Sequence, residues 1–185
     1  MAQTRAPRGA FCNPFRTGAV LVLTPDLDED LEALAARFRA QGRGVLVGPH
    51  GSGKTTTLEA LVPRLPGPAT WLRLRADPAA NARAVSALPR QIPGLLVIDG
   101  LEQLAPWTWW SVRRRADRIL ATSHREGRLP LLYRHRTSPP LLARLIERLQ
   151  APVPEDLEAL VQRHDGDLRA CLRELYDRYA GLETT

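Results

Sequence analysis

Eight consecutive residues carry the most specific chemistry in this chain. Gly48-Pro49-His50-Gly51-Ser52-Gly53-Lys54-Thr55 satisfies the pattern G-x-x-x-x-G-K-[ST] at every fixed position. Glycines at 48, 51 and 53 let the backbone amides turn inward and wrap a chain of phosphates at the start of the next helix. In such a loop the lysine reaches the β- and γ-phosphates, and the hydroxyl that follows it, here Thr55, suits Mg²⁺. Thr56 continues the first helical turn beside them. Composition singles out the same place: the 26 basic residues are 25 arginines and one lysine, Lys54. Arginine-rich coding explains the replacement wherever only charge matters. The lysine that remains stands where a compact ammonium on a flexible stem is wanted.

Two carboxylates lie further along. Asp99 follows the apolar run Leu95-Leu96-Val97-Ile98, so it sits at the tip of a buried strand, a place from which it can face a cation beside the phosphates. The alternative is an ordinary Asp-Gly turn with Gly100. Glu102 can orient an attacking water as a general base, or simply cap the next helix.

The elements that must position these groups alternate. A basic, turn-rich arm spans residues 1–18, with Asn13-Pro14-Phe15 as a stop. Asp26 is placed to cap a helix that Gly42 ends. A short strand at Val45-Leu46-Val47 runs into Gly48, and a helix from Lys54 stops at Pro63. Strands are expected at Thr70–Leu74, Leu95–Ile98 and Ile119–Thr122, and one more at Leu131–Tyr133. Helices are expected at Ala79–Leu88 and from Pro106 to about Asp117. From Ser138 the pattern is helical in three pieces. Strands alternating with helices predict an α/β parallel sheet, with a core over 19–137 and a helical tail over 138–185. Only five residues separate Ser123 from Leu129, too few for a helical crossover. Either that helix is deleted, or the Leu131 segment is an antiparallel or irregular edge piece.

The spacing from Lys54 to Asp99 resembles the additional-strand division of P-loop NTPases, which includes the AAA+ ATPases. That resemblance implies a three-layer α/β/α sandwich with a mostly parallel sheet and a small C-terminal helical lid. It also implies binding of ATP with Mg²⁺, held by Thr55 and Asp99, and ATPase activity coupled to a partner. In these relatives a polar residue at the tip of the next strand touches the γ-phosphate or the attacking water; Thr122, Ser123 and His124 stand there. Gly166-Asp167-Leu168-Arg169 resembles their sensor 2 motif, whose arginine, here Arg169, reaches over the nucleotide. One departure is plain. AAA+ proteins carry a catalytic glutamate directly after the strand-tip aspartate, and this chain has Gly100 there, with Glu102 the nearest acid. The Asp-Gly-hydrophobic-acidic order is similar to NACHT-type signalling NTPases, which leaves a slowly hydrolysing switch as the alternative to an ATPase. A small-molecule kinase is the third reading. No Asn-Lys-x-Asp guanine motif is present, so ATP is the expected nucleotide.

Composition narrows the setting. The chain has 185 residues, 44% of them apolar and 25% charged, enough for a packed core. No apolar run approaches the ~20 residues a membrane span needs, and Ala19–Leu23 is too short for a signal core, so a cytoplasmic protein is expected. Cys12 and Cys171 suggest neither a disulfide framework nor a metal site. A net charge of +6 favours polyanionic partners, unless arginine-rich coding alone produces it. Nucleic acid, a protein partner and further copies of the chain all remain open as partners. Trp107, Trp109 and Trp110 precede Arg113-Arg114-Arg115; this interleaving suits single-stranded nucleic acid, but the simpler expectation buries two tryptophans against the sheet. Arg125, Arg128, Arg134 and Arg136 are candidates for an arginine finger.

Overall fold

A computed structural model describes Phe15 and residues 29–182; the rest of the expected N-terminal arm and the cap expected at Asp26 lie outside the described residues. The helices are α1 (Leu31–Gln41), α2 (Lys54–Leu61), α3 (Pro78–Ser86), α4 (Pro106–Arg113), α5 (Pro139–Arg148), α6 (Leu157–Arg163) and α7 (Leu168–Leu182). The strands are β1 (Arg43–Val47), β2 (Ala69–Arg73), β3 (Leu95–Asp99), β4 (Arg118–Ser123) and β5 (Leu131–Arg134). One compact unit runs to Arg136, and a second comprises Phe15 and the chain from Thr137.

All five strands are parallel, in the order β2-β3-β4-β1-β5. Side chains of a strand alternate between faces, and here the alternation divides the core in two. Leu46, Leu95, Val97, Leu120 and Leu132 face one side, where Leu34, Ala35 and Phe38 of α1 and Leu58 and Leu61 of α2 cover them. Val45, Val47, Leu96, Ile98, Ile119 and Ala121 face the other, against Val85 of α3 and Trp109 and Val112 of α4. Continuous apolar runs are required because both faces are dry. Each fully buried Leu or Ile contributes about 1.5–3 kcal/mol, so these two layers hold the unit together. The result is the three-layer α/β/α sandwich that the alternation of elements implies.

The edge strand decides between the two readings. The helix of the crossover is deleted, and β5 runs parallel to β1, not antiparallel, with a register irregularity after Val45. The register explains why no helix is needed. Val47 is opposite Ser123 on one side, whereas Val45 is opposite Leu131 on the other. The chain therefore falls back only two residues, about 7 Å, while crossing two strand spacings of about 4.8 Å. Residues 124–130 reach that far in extended form.

Helix α4 also ends earlier than expected, at Arg113 rather than near Asp117. The guanidinium of Arg115 turns back to donate to the carbonyls of Val85 and Leu88, at the end of α3. Those contacts tie the segment after α4 to the end of α3.

The second unit has its own core, built from Leu142 and Ile146 of α5, Leu157 and Leu160 of α6, and Leu168, Cys171 and Leu175 of α7, with Phe15 packed among them. Ser138 caps α5 through the amide of Leu141, and Asp167 caps α7 through that of Ala170. No helix among the described residues is long and apolar enough to cross a membrane.

Candidate functional site

In parallel sheets, loops gather at the carboxyl ends of the strands and build sites there. At that end β1 delivers the loop 48–55, β3 delivers Asp99, and β4 delivers Thr122 and Ser123. The loop is closed on itself. Ser52 Oγ donates to the Pro49 carbonyl at 2.9 Å, and the Lys54 ammonium donates to the carbonyls of Gly48 at 2.8 Å and Pro49 at 2.5 Å. Gly51 and Gly53 hold φ values of 65° and 87°, left-handed conformations that glycine adopts without a steric penalty. Lys54 is almost enclosed and Ser52 is buried, whereas Thr55, Thr56, Pro49 and His50 face outward.

Asp99 is gripped from two sides. Thr55 Oγ1 donates to its carboxylate, 3.2 Å from each oxygen. Thr122 Oγ1 donates to Oδ1 at 2.6 Å and accepts the Gly100 amide at 2.9 Å. Ser123 is placed otherwise: its hydroxyl accepts the amide of Arg125, and its carbonyl accepts the Gly48 amide. Of the two hydroxyls at this strand tip, only Thr122 is turned onto Asp99.

Gly100 stands at φ 91°, and a Cβ there would lie 3.1 Å from the Leu74 carbonyl. A glutamate directly after Asp99 would be strained in this backbone. The acid instead appears in a 3₁₀ turn, Leu101–Gln103, whose carbonyls of Leu101 and neighbouring Leu104 accept the Arg128 guanidinium. That contact gives Arg128 a structural role. Arg134 pairs with Glu126, and Arg125 and Arg136 are exposed.

His124 links this turn to the loop. Its Nδ1 lies 3.0 Å from the Gly48 carbonyl, and its Nε2 lies 3.4 Å from Glu102 Oε1. Its ring also stacks against His50, with centroids 3.8 Å apart. Burial and the Lys54 charge hold its pKa below the ordinary histidine value, with Glu102 pulling the other way. Glu102 Oε2 is buried without a hydrogen-bond partner among the described residues.

One residue here carried no sequence signal. His135, just beyond β5, donates its backbone amide to Val47 and tucks its ring under the loop. A Cβ on Gly48 would lie 2.6 Å from that of His135, so the first glycine of the motif is the space that histidine occupies. Burial first, then Lys54, push its pKa down to about 4. Arg169 lies in the other unit, exposed on the first turn of α7.

A hydroxyl beside one carboxylate is the protein share of a typical Mg²⁺ site, because this ion keeps waters and phosphate oxygens for its other positions. Thr55 and Asp99 fit that description. Among the described residues no three His, Cys, Asp or Glu side chains form a cage that could hold a metal without a nucleotide.

No protein-family model matches the chain, and no curated protein matches it. Solved structures do. It is similar to the Thermotoga maritima RuvB Holliday junction branch migration motor, at 16% identity and a TM-score of 0.48, over 78% of this chain and 58% of that one. It is also similar to a Signal Transduction ATPase with Numerous Domains (STAND) protein with a tetratricopeptide repeat sensor from Pyrococcus horikoshii. There the identity is 14% and the TM-score 0.43, over 78% of this chain and 29% of that one. The chain thus spans less than two thirds of either structure. The strand order is the firmer finding: β4 stands between the strand that leads into the loop and the strand that ends in Asp99. With the phosphate-loop sequence at the tip of β1, this inserted strand gives the chain the three-layer α/β/α fold of the additional-strand P-loop NTPases.

Proposed function

We propose that this chain is a cytoplasmic Mg-ATP-binding ATPase that couples nucleotide binding or hydrolysis to a protein or nucleic-acid partner, or to further copies of itself. The observation that carries the reading is the convergence of Thr55 and Thr122 on Asp99 beside the loop. Glycine-turned amides of residues 48–53 and the start of α2 would receive the phosphates, with Lys54 inside the loop to meet the terminal ones. Thr55 and Asp99 would hold Mg²⁺, which when bound neutralises charge on the β- and γ-phosphate oxygens. Thr122 fixes the rotation of the Asp99 carboxylate. Glu102, tethered near the loop through His124, would position the attacking water. Arg169 enters as a lid cation through the sensor 2 resemblance alone.

The slow switch remains as a second reading, and Gly100 favours it, since the backbone at that position disfavours the usual catalytic acid. One experiment separates the two. Asp99→Asn should weaken Mg-ATP binding, because Asp99 would hold the cation that offsets the phosphate charge already in the bound ground state. Glu102→Gln should keep affinity and lower single-turnover hydrolysis by about 100- to 10,000-fold. Unchanged hydrolysis in Glu102→Gln would remove its catalytic role. Negligible turnover in the unaltered protein with every partner supplied would leave the switch.

A further inference from the structure

Helix α4 has a dry face and a decorated one. Trp109 and Val112 point into the core, whereas Trp107 and Trp110 are 76% and 54% exposed, the two most exposed large apolar side chains among the described residues. Tryptophan this bare is unusual, because a buried indole removes some 150–250 Å² from water. Positions 107, 110 and 114 follow i, i+3 and i+7 spacing, so Trp107, Trp110 and Arg114 form one stripe along the helix. Arg113 joins it by laying its guanidinium over the Trp110 ring at 4.7 Å, with Arg114 at 6.0 Å.

The charges on this stripe are unusually available. Arg37, Arg73 and Arg178 each hold a carboxylate, but Arg113 and Arg114 have no ion-pair partner among the described residues. The segment from Pro106 to Arg115 contains three arginines and no acid, and Arg115 is occupied with the end of α3. An open indole at Trp107, a second at Trp110 that carries Arg113 over its ring, and two guanidiniums without carboxylate partners match a ligand with flat apolar faces and a negative backbone.

We propose that the outer stripe of α4 binds single-stranded nucleic acid, with bases stacking on Trp107 and Trp110 and phosphates meeting Arg113 and Arg114. A single strand fits better than a duplex, whose base faces are already stacked on one another. Seven residues of helix rise about 10 Å, roughly three nucleotides at 3.4 Å each. Stacking on indole accepts any base, so little sequence preference is expected. This surface is independent of the nucleotide reading.

The test uses the full chain without ATP. Binding of a labelled oligothymidylate of about 16 nucleotides is measured by fluorescence anisotropy over a salt series, beside a duplex of equal length. The unaltered protein should favour the single strand. Trp107→Ala and Trp110→Ala should each weaken it by about 5- to 150-fold, while the paired Phe variants retain most of the affinity. Arg113→Gln with Arg114→Gln should lower the slope of log affinity against log salt by about 1.4. Lys54→Ala should bind the oligonucleotide normally, although it has lost Mg-ATP. Equal binding of duplex and single strand would overturn the proposal, as would indifference to both tryptophans. So would an oligomer that dissociates in the alanine variants while no oligonucleotide binds, the result expected of a protein interface. Loss of oligonucleotide binding alone leaves the ATPase reading standing, and loss of ATP binding alone leaves the platform.

Discussion

Two glycines of the phosphate loop do different work, and replacing each by alanine separates them. A methyl group on Gly48 would meet His135 Cβ at 2.6 Å and Ser52 Oγ at 2.8 Å, whereas one on Gly53 meets nothing within 4 Å but sits at φ 87°. Gly48→Ala is therefore a packing fault that moves the carbonyl holding Lys54 and His124. It should cost about 1–3 kcal/mol of stability and also weaken Mg-ATP binding. Gly53→Ala carries only the left-handed backbone penalty, about 1–2 kcal/mol. Denaturant midpoints and ATP affinities, measured on both variants, check the difference. His135 sets a pH dependence at the same spot. Its pKa falls from 6.5 in the unfolded chain to about 4 in the fold, so the folded state binds fewer protons between those values. The stability it contributes is complete above pH 6.5 and is lost as pH drops toward 4, by roughly 3 kcal/mol in all. His124, shifted in the same direction, adds to the slope. Urea unfolding across that window should be steep in the unaltered protein and shallower in His135→Leu; equal slopes would remove His135 as the cause.

Helices α6 and α7 are joined by a compact ionic network. Arg178 donates to both oxygens of Asp156, at 2.9 and 2.8 Å, and also to Glu174. Glu174 in turn lies 2.6 Å from His164 Nε2 and also accepts Arg163. The His164 contact, then Arg178, holds the Glu174 carboxyl down at about 2. A depressed carboxylate stabilises the fold above its ordinary pKa and loses that contribution as pH falls through the lowered value. The tail should consequently lose protection between about pH 4.5 and 2, and Glu174→Gln should lack that step. Single exposed pairs are weak, so the network rather than any one bridge should respond. Hydrogen exchange of the amides of α6 and α7 follows it directly, and high salt should reproduce the Glu174→Gln behaviour in part.

Ligand binding to the folded state raises the stability of the whole molecule. If the proposed function holds, Mg-ATP at about 100 times its Kd should contribute about 2.7 kcal/mol, which for a chain of this length would raise Tm by roughly 5 to 11 °C. Lys54→Ala should abolish the shift without unfolding the protein. An equal shift in both proteins would remove the loop from the site. The net charge of +6 also has a place to act, because on the α4 stripe Arg114 is exposed, Arg113 is half-buried, and neither has an ion-pair partner among the described residues. Excess charge by itself would not have distinguished that face from a solvated one.

What the sequence alone determined is what short-range spacing encodes. The phosphate loop is legible because its glycines, lysine and threonine act within eight residues, and the inner strands because a continuous apolar run has two faces to fill. Capping at Gly42 follows from the same local rule, with the Gly42 amide donating to Phe38. The tertiary structure decided whatever depends on residues distant in the chain. It chose Thr122 over Ser123 for contact with Asp99, because the pleat of β4 sends their hydroxyls in opposite directions. It placed His135 beneath Gly48, 87 positions earlier, through a parallel edge pairing whose short connection depends on register. It also divided the tryptophans of α4, burying one rather than two, since the sheet offers room only for the stripe that carries Trp109 and Val112. Local propensity cannot specify which face of a helix finds a partner; the packing of the layers does.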